Sequence, residues 1–420
     1  GNDTFNVDSG TDTITDLSTG DILVVSSGAI ANATNISAFD ATGSTSNSGT
    51  ANLTATNSGG SIDVGDSTTG AYNLTGLAGA DTLKGNSNND TINAGSGNDT
   101  IDGRGGNDII NAGDGDDTII VSSAGQGNSD TLDGGNGTDT LQLSTGSHSF
   151  SNDASIQNIQ AITLNASGTT VDLTGQTEGL SITGGAGGDI ITAGSGNDII
   201  AGAAGADTIT GAGGSDTISL GSSDSASDII IFNFSSGMDI IKQFTAGSSS
   251  GDIMKYTGNL NDRESSPNTS NGSDGTDDLI SADFAINAKN ASLDNTKLVL
   301  GFSTAVTQNG LSSGTSIDFT GAGISSSQII GAIETSLENG NAGSGQGLLS
   351  GTGTSVGQGD ANESKILLFT DGGSGANEDV AMVLYTEGST PDSDFSGELT
   401  LANILESISL TNLTHDNFWG

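Results

Sequence analysis

Nine residues separate Asp81 from Asp90, and the same step leads on to Asp99, Asp108 and Asp117. The five units from 76 to 120 read GLAGADTLK, GNSNNDTIN, AGSGNDTID, GRGGNDIIN and AGDGDDTII. After a four-residue slip at 121–124, GQGNSDTLD and GGNGTDTLQ resume the register with Asp130 and Asp139. A second block at 184–219 reads GGAGGDIIT, AGSGNDIIA, GAAGADTIT and GAGGSDTIS, and carries Asp189, Asp198, Asp207 and Asp216. A fixed internal period decides architecture before the propensity of any single residue does. The glycine-rich first five positions of each unit make a turn, because glycine alone takes left-handed backbone values freely. The last three make a short strand whose middle residue is always Leu or Ile. With those side chains pointing inward, two units close one coil, and the expected fold is all-β, a parallel β-solenoid.

Coils stack one inter-strand spacing apart, roughly 4.8 Å. Aspartates 18 residues apart then share an edge, as Asp81, Asp99 and Asp117 do, while Asp90 and Asp108 take the other. Carboxylates at that distance repel by roughly 1 kcal/mol in water and about 3.5 kcal/mol at an effective dielectric near 20. Such a ladder needs cations between its rungs. Carboxylates and turn carbonyls are hard oxygen ligands, and the chain has no Cys, so the expected cofactor is Ca²⁺ in multiple copies rather than zinc or copper. Mg²⁺ fits less well, because it keeps its water and demands a tight octahedron.

These units resemble the RTX (repeats-in-toxin) nonapeptide family, whose pattern is G-G-x-G-x-D-x-U-x. The resemblance covers 76–142 and 184–219, and is weaker at 1–15, where Asp3 and Asp12 keep the nine-residue step. Ala94, Ala112 and Ala193 replace the first glycine of their units, and Asn88 replaces another. The resemblance implies a parallel β-roll, calcium dependence and export by type I secretion.

Composition narrows the partners. A formal charge of −43 with eight basic residues disfavours nucleic acid and anionic membranes. No apolar run reaches the roughly 18 residues a bilayer crossing needs. Two prolines and no cysteines suit an exported protein stabilised by metal rather than by disulfides. Because the chain opens on Gly1 inside a repeat, it is expected to be part of a larger product.

Along the chain, 1–27 reads as the end of an earlier repeat block and 28–75 as a strand-rich solenoid spacer. The first β-roll block occupies 76–142, a second spacer 143–183, and the second block with an aromatic cap 184–256, where Phe232, Phe234, Phe244 and Tyr256 appear. A loop is expected at 257–278. Residues 279–420 read as a β-rich domain containing or abutting an export signal. Its expected strands lie at 296–302, 365–370 and 380–386, with one short helix near 326–337.

Catalytic signatures are weak. His148 and His415 are the only histidines, which excludes a His-based zinc protease motif. G-x-S-x-G matches around Ser249 and Ser312 arise by chance in a Ser/Gly-rich chain. A non-enzymatic role is therefore expected: the lattice-forming part of an RTX-type surface-layer (S-layer) protein on the bacterial cell surface. Its partners are then copies of itself, with cell-surface glycan or lipopolysaccharide bound by regions outside this segment. The alternative is a carboxyl-terminal calcium-binding secretion and folding module of a larger exoenzyme, adhesin or toxin.

Overall fold

The computed structural model describes residues 1–122, 129–164, 168–221, 226–232, 237–245, 252–256, 284–285, 299–302, 329–330, 333, 364–370, 379–386 and 399–406. The chain forms two compact units, Gly1–Ile199 and Ile200–Gly420. That division falls inside the second repeat block rather than at either of its ends.

In the first unit the strands stack in parallel, as the period requires. One file runs Ser61–Asp63, Thr82–Lys84, Thr100–Asp102, Thr118–Val121, Thr140–Leu143, Ala161–Leu164 and Ser181–Thr183. Another runs Thr11–Ile14, Ile30–Ile36, Thr50–Ala55, Tyr72–Ala78, Thr91–Ser96, Ile109–Asp114, Thr131–Asn136 and Ile156–Gln157. Cα register pairs Leu83 with Ile101, Ile101 with Ile119 and Ile119 with Leu141. On the other file Leu74, Ile92, Ile110 and Leu132 pair in the same way. All eight side chains are buried. The invariant Leu/Ile row is thus the core, and each such side chain contributes about 1.5–3 kcal/mol by leaving water.

Both spacers continue the solenoid. In 28–75 and 143–183 the strands pair in parallel with those of the repeat blocks, without the aspartate turns between them. The strand register survives the four-residue slip, because Ile109 still pairs with Thr131 and Thr118 with Thr140. Close stacking is what makes certain glycines obligatory. Gly97 and Gly115 have φ of +135° and +147°, and a Cβ on either would run into the backbone of the glycine one coil earlier.

The second unit keeps parallel coils at its start. Thr208–Thr210, Ile229–Phe232 and Ile253–Tyr256 form one stack. Thr217–Ser219 pairs with Asp239–Lys242, and the distant strand Leu399–Leu405 adds itself in parallel to the edge of Asp239–Lys242. The ion pair between Lys242 and Glu406, at 3.1 Å, fastens that junction. Val380–Thr386 then runs antiparallel to Leu399–Leu405 and to Ser364–Thr370, and Val299–Phe302 pairs with Ser364–Thr370. The strands expected in 279–420 are therefore present.

Phe232 and Phe244 of the expected cap are buried, and Tyr256 ends its strand. Residues 329, 330 and 333 are helical, with Ile329 and Ile333 buried, as the amphipathic spacing of 326–337 predicts. Phe234, His415, the 257–278 loop and the remainder of that helix lie outside the described residues.

Candidate metal centre

Each repeat aspartate stands at the end of its turn, one residue before the strand, and reaches along the stack toward the preceding coil. On one edge the Asp81 N–H donates to Oδ1 of Asp99 at 2.7 Å, Asp99 to Asp117 at 2.7 Å and Asp117 to Asp139 at 2.9 Å. On the other, Asp90 donates to Asp108 at 2.8 Å and Asp108 to Asp130 at 2.7 Å. The ladder crosses the 121–124 slip without losing a rung.

Spacer backbone starts each ladder: Gly60 donates to Asp81, Tyr72 to Asp90, Thr169 to Asp189 and Leu180 to Asp198. A carboxamide ends one of them, since Asp139 donates to Oε1 of Gln160 at 2.6 Å. In the second unit Asp207 and Asp216 donate to Asp228 and Asp239. All eleven repeat aspartates in the two blocks are buried.

Two of the expected positions differ. Asp12 lies inside the strand Thr11–Ile14 and is exposed, so it is not a turn aspartate. The turn after Thr4–Val7 is shorter than a repeat turn, and Gly10 takes the rung place, accepting the Ile30 N–H at 2.8 Å. Asp3 keeps a rung place through its N–H, which donates to Oδ1 of Asp21 at 2.8 Å, while its own carboxylate is 63% exposed. Asp21, Asp228, Asp239 and Asp252 occupy rung positions that the nine-residue period did not single out. Their sequence signal is the D-x-U triplet itself: DIL, DII, DII and DIM.

The second carboxylate oxygen reveals the demand for a cation. Oδ2 of Asp81, Asp99, Asp108, Asp117 and Asp139 is buried and has no hydrogen-bond donor. An anionic oxygen left so costs several kcal/mol unless a cation compensates it. The two basic residues of this region are engaged elsewhere, Arg104 on Asp63 at 2.9 Å and Lys84 on the same carboxylate at 3.8 Å. The space in front of the oxygen is kept open by glycine. A Cβ at Gly76 or Gly134 would come within 2.6 and 2.7 Å of Oδ2 of Asp81 and Asp139, and would also strike the carbonyl of Ala94 or Asn158 one coil on.

Carboxylate and carbonyl oxygens from adjacent coils therefore converge on one cradle. Among the described residues no three acidic or histidine side chains gather into a metal cluster. An ion here would be held by the rung carboxylates, with turn carbonyls and water as further oxygen ligands, the donor set that suits Ca²⁺. Burial pushes several of these carboxyls up, and at Asp108 the charges of Asp130 and Asp90 add to it. Asp108 rises to about 8, and Asp90, Asp198 and Asp239 to about 6.

The family model for the RTX calcium-binding nonapeptide repeat matches at 69–101, 84–119, 124–147 and 183–218. The chain therefore carries RTX calcium-binding repeats on a parallel β-roll. No curated protein matches it.

Proposed function

We propose that this chain is the self-assembling part of a secreted, calcium-dependent surface-layer protein. The observation that carries the reading is a pair of regular, uncharged files on the outside of the first unit. Thr82, Thr100, Thr118 and Thr140 stand in one outward file at successive strands. On the other sheet, Asn73 donates to Asn52 and Asn52 to Asn32, each at 2.7 Å, which locks a second outward file. Repeating files of uncharged Thr and Asn present the same side chains at every strand spacing, which suits side-by-side packing of copies.

Calcium on the ladder removes part of the −43 charge that opposes such packing. A structural role also agrees with His148, which is buried in a strand with Nε2 at 2.9 Å from the Ser144 carbonyl and packs rather than reacts. No helix among the described residues is long and apolar enough to cross a membrane. Export by type I secretion belongs to the same reading, as the resemblance to RTX proteins implies. Unmetallated, the chain stays unfolded in calcium-poor cytosol, and it folds on meeting near-millimolar calcium outside.

Negative-stain electron microscopy of the purified chain tests this. Ordered sheets or tubes are expected in millimolar calcium and single particles in EGTA. Single particles under both conditions would contradict assembly, and would leave the chain as the calcium-folded export module of a larger exoprotein.

A further inference from the structure

Asp81, Asp99, Asp108, Asp117 and Asp139, whose Oδ2 lacks a donor, share a backbone feature four residues upstream. There the chain has positive φ: Leu77 at +84°, Gly95 at +110°, Arg104 at +63°, Gly113 at +112° and Gly135 at +90°. Asp90 and Asp189 differ. Their upstream residues, Asn86 and Gly185, are not left-handed, and each donates its N–H to Oδ2 of the aspartate at 2.7 and 2.8 Å. Among these seven rungs the same turn thus exists in two forms, and the hand of its second residue separates them.

In the left-handed form that N–H is engaged away from the carboxylate. Arg104 gives it to Oδ1 of Asp102 at 2.9 Å and Gly135 to Oδ1 of Asp133 at 3.1 Å. Gly95 and Gly113 are held instead in strand register with each other. No donor among the described residues then reaches Oδ2. In the other form both oxygens of the carboxylate accept backbone N–H groups, Oδ1 of Asp90 from Tyr72 and Oδ1 of Asp189 from Thr169. Two charge-assisted bonds satisfy the anion without metal. The amide proton also occupies the approach to Oδ2, where its partial positive charge repels a cation.

We propose that these are two kinds of rung: Asp81, Asp99, Asp108, Asp117 and Asp139 each take a divalent cation, and Asp90 and Asp189 are latched shut by the upstream amide. This rests on the calcium reading above and sharpens it. Asn86 is the positioning residue of the first latch. Its side chain is buried, donates to the carbonyls of Gly70 at 2.9 Å and Ser67 at 3.3 Å, and accepts from the Asn88 N–H at 2.7 Å. The spacer coil beneath therefore fixes the conformation of residue 86. Both latched rungs stand first on their edges, directly above a spacer strand, where they join each metal-loaded stack to coils that need no ion.

Counting bound calcium on the full chain by native mass spectrometry and titration calorimetry tests the assignment. D90N and D189N are expected to bind as many ions as the unmodified chain, D99N one fewer, and N86G, which frees the turn to become left-handed, one more. Circular dichroism in calcium checks that each variant folds; should N86G not fold, the counts for D90N and D189N decide alone. Loss of an ion in D90N or D189N, or an unchanged count in a folded N86G, overturns the latch. An unmodified chain that binds no calcium overturns the metal reading itself, a separate failure.

Discussion

In excess EGTA near neutral pH the chain is expected to lose most of its β circular-dichroism signal, and millimolar calcium to restore it. Five buried Oδ2 atoms have neither donor nor cation once the metal is gone. Their carboxylates also stand at coil spacing, where each neighbouring pair costs about 1 to 3.5 kcal/mol. A handful of such terms equals the whole stability of an ordinary domain, about 5–15 kcal/mol. Acid should partly replace calcium. Burial raises Asp108 to about 8 and Asp90 to about 6, from an ordinary value of 3.8. Between those values the folded chain holds more protons than the unfolded one, so metal-free stability falls as pH rises through the window. The chain in EGTA should therefore keep more structure near about pH 5.5 than near about pH 8. In calcium the trend reverses, because the ion needs the ionised carboxylate. A native β spectrum at the higher pH in EGTA would contradict the dependence on metal.

Replacing Asp99 and Asp117 together by Ala should raise the calcium concentration for half-folding by well over tenfold, whereas Asp3→Ala should leave it nearly unchanged. Each inner aspartate gives Oδ1 to the amide of the coil below, at 2.7 Å for both, and on the proposed assignment would give Oδ2 to an ion. Loss of a hydrogen bond to a charged acceptor costs about 1.5–3 kcal/mol, so the pair costs about 3–6 kcal/mol before any ion is counted. Asp3 carries an exposed carboxylate at the end of its stack, and surface substitutions of that kind stay within about 0.5 kcal/mol. Calcium titrations followed by circular dichroism give both midpoints. Equal shifts for the inner pair and for Asp3 would mean that the ladder is not where the ions bind.

Sequence and structure agree where the period is strict. A nine-residue step with Leu or Ile two places after Asp leaves one way to bury the apolar row, and Leu83, Ile101 and Ile119 lie where that step puts them. Asp12 shows the limit. It sits nine residues from Asp3, yet the intervening turn is short, so counting put it in a turn and the backbone puts it in a strand. Asp228, Asp239 and Asp252 show the converse, because spacings of 21 to 24 residues hide rungs that hydrogen bonding restores. The latch was not legible at all. Whether residue 86 is left-handed depends on carbonyls of Ser67 and Gly70 a full coil away, a tertiary contact that no local pattern encodes.

Calcium anomalous scattering from crystals grown in millimolar calcium examines the ladder most directly. Peaks at about 2.3–2.6 Å from Oδ2 of Asp99 and Asp117, in line between successive coils, are the expected outcome. Clear density for those side chains with no peak beside them would contradict a stack held together by divalent ions.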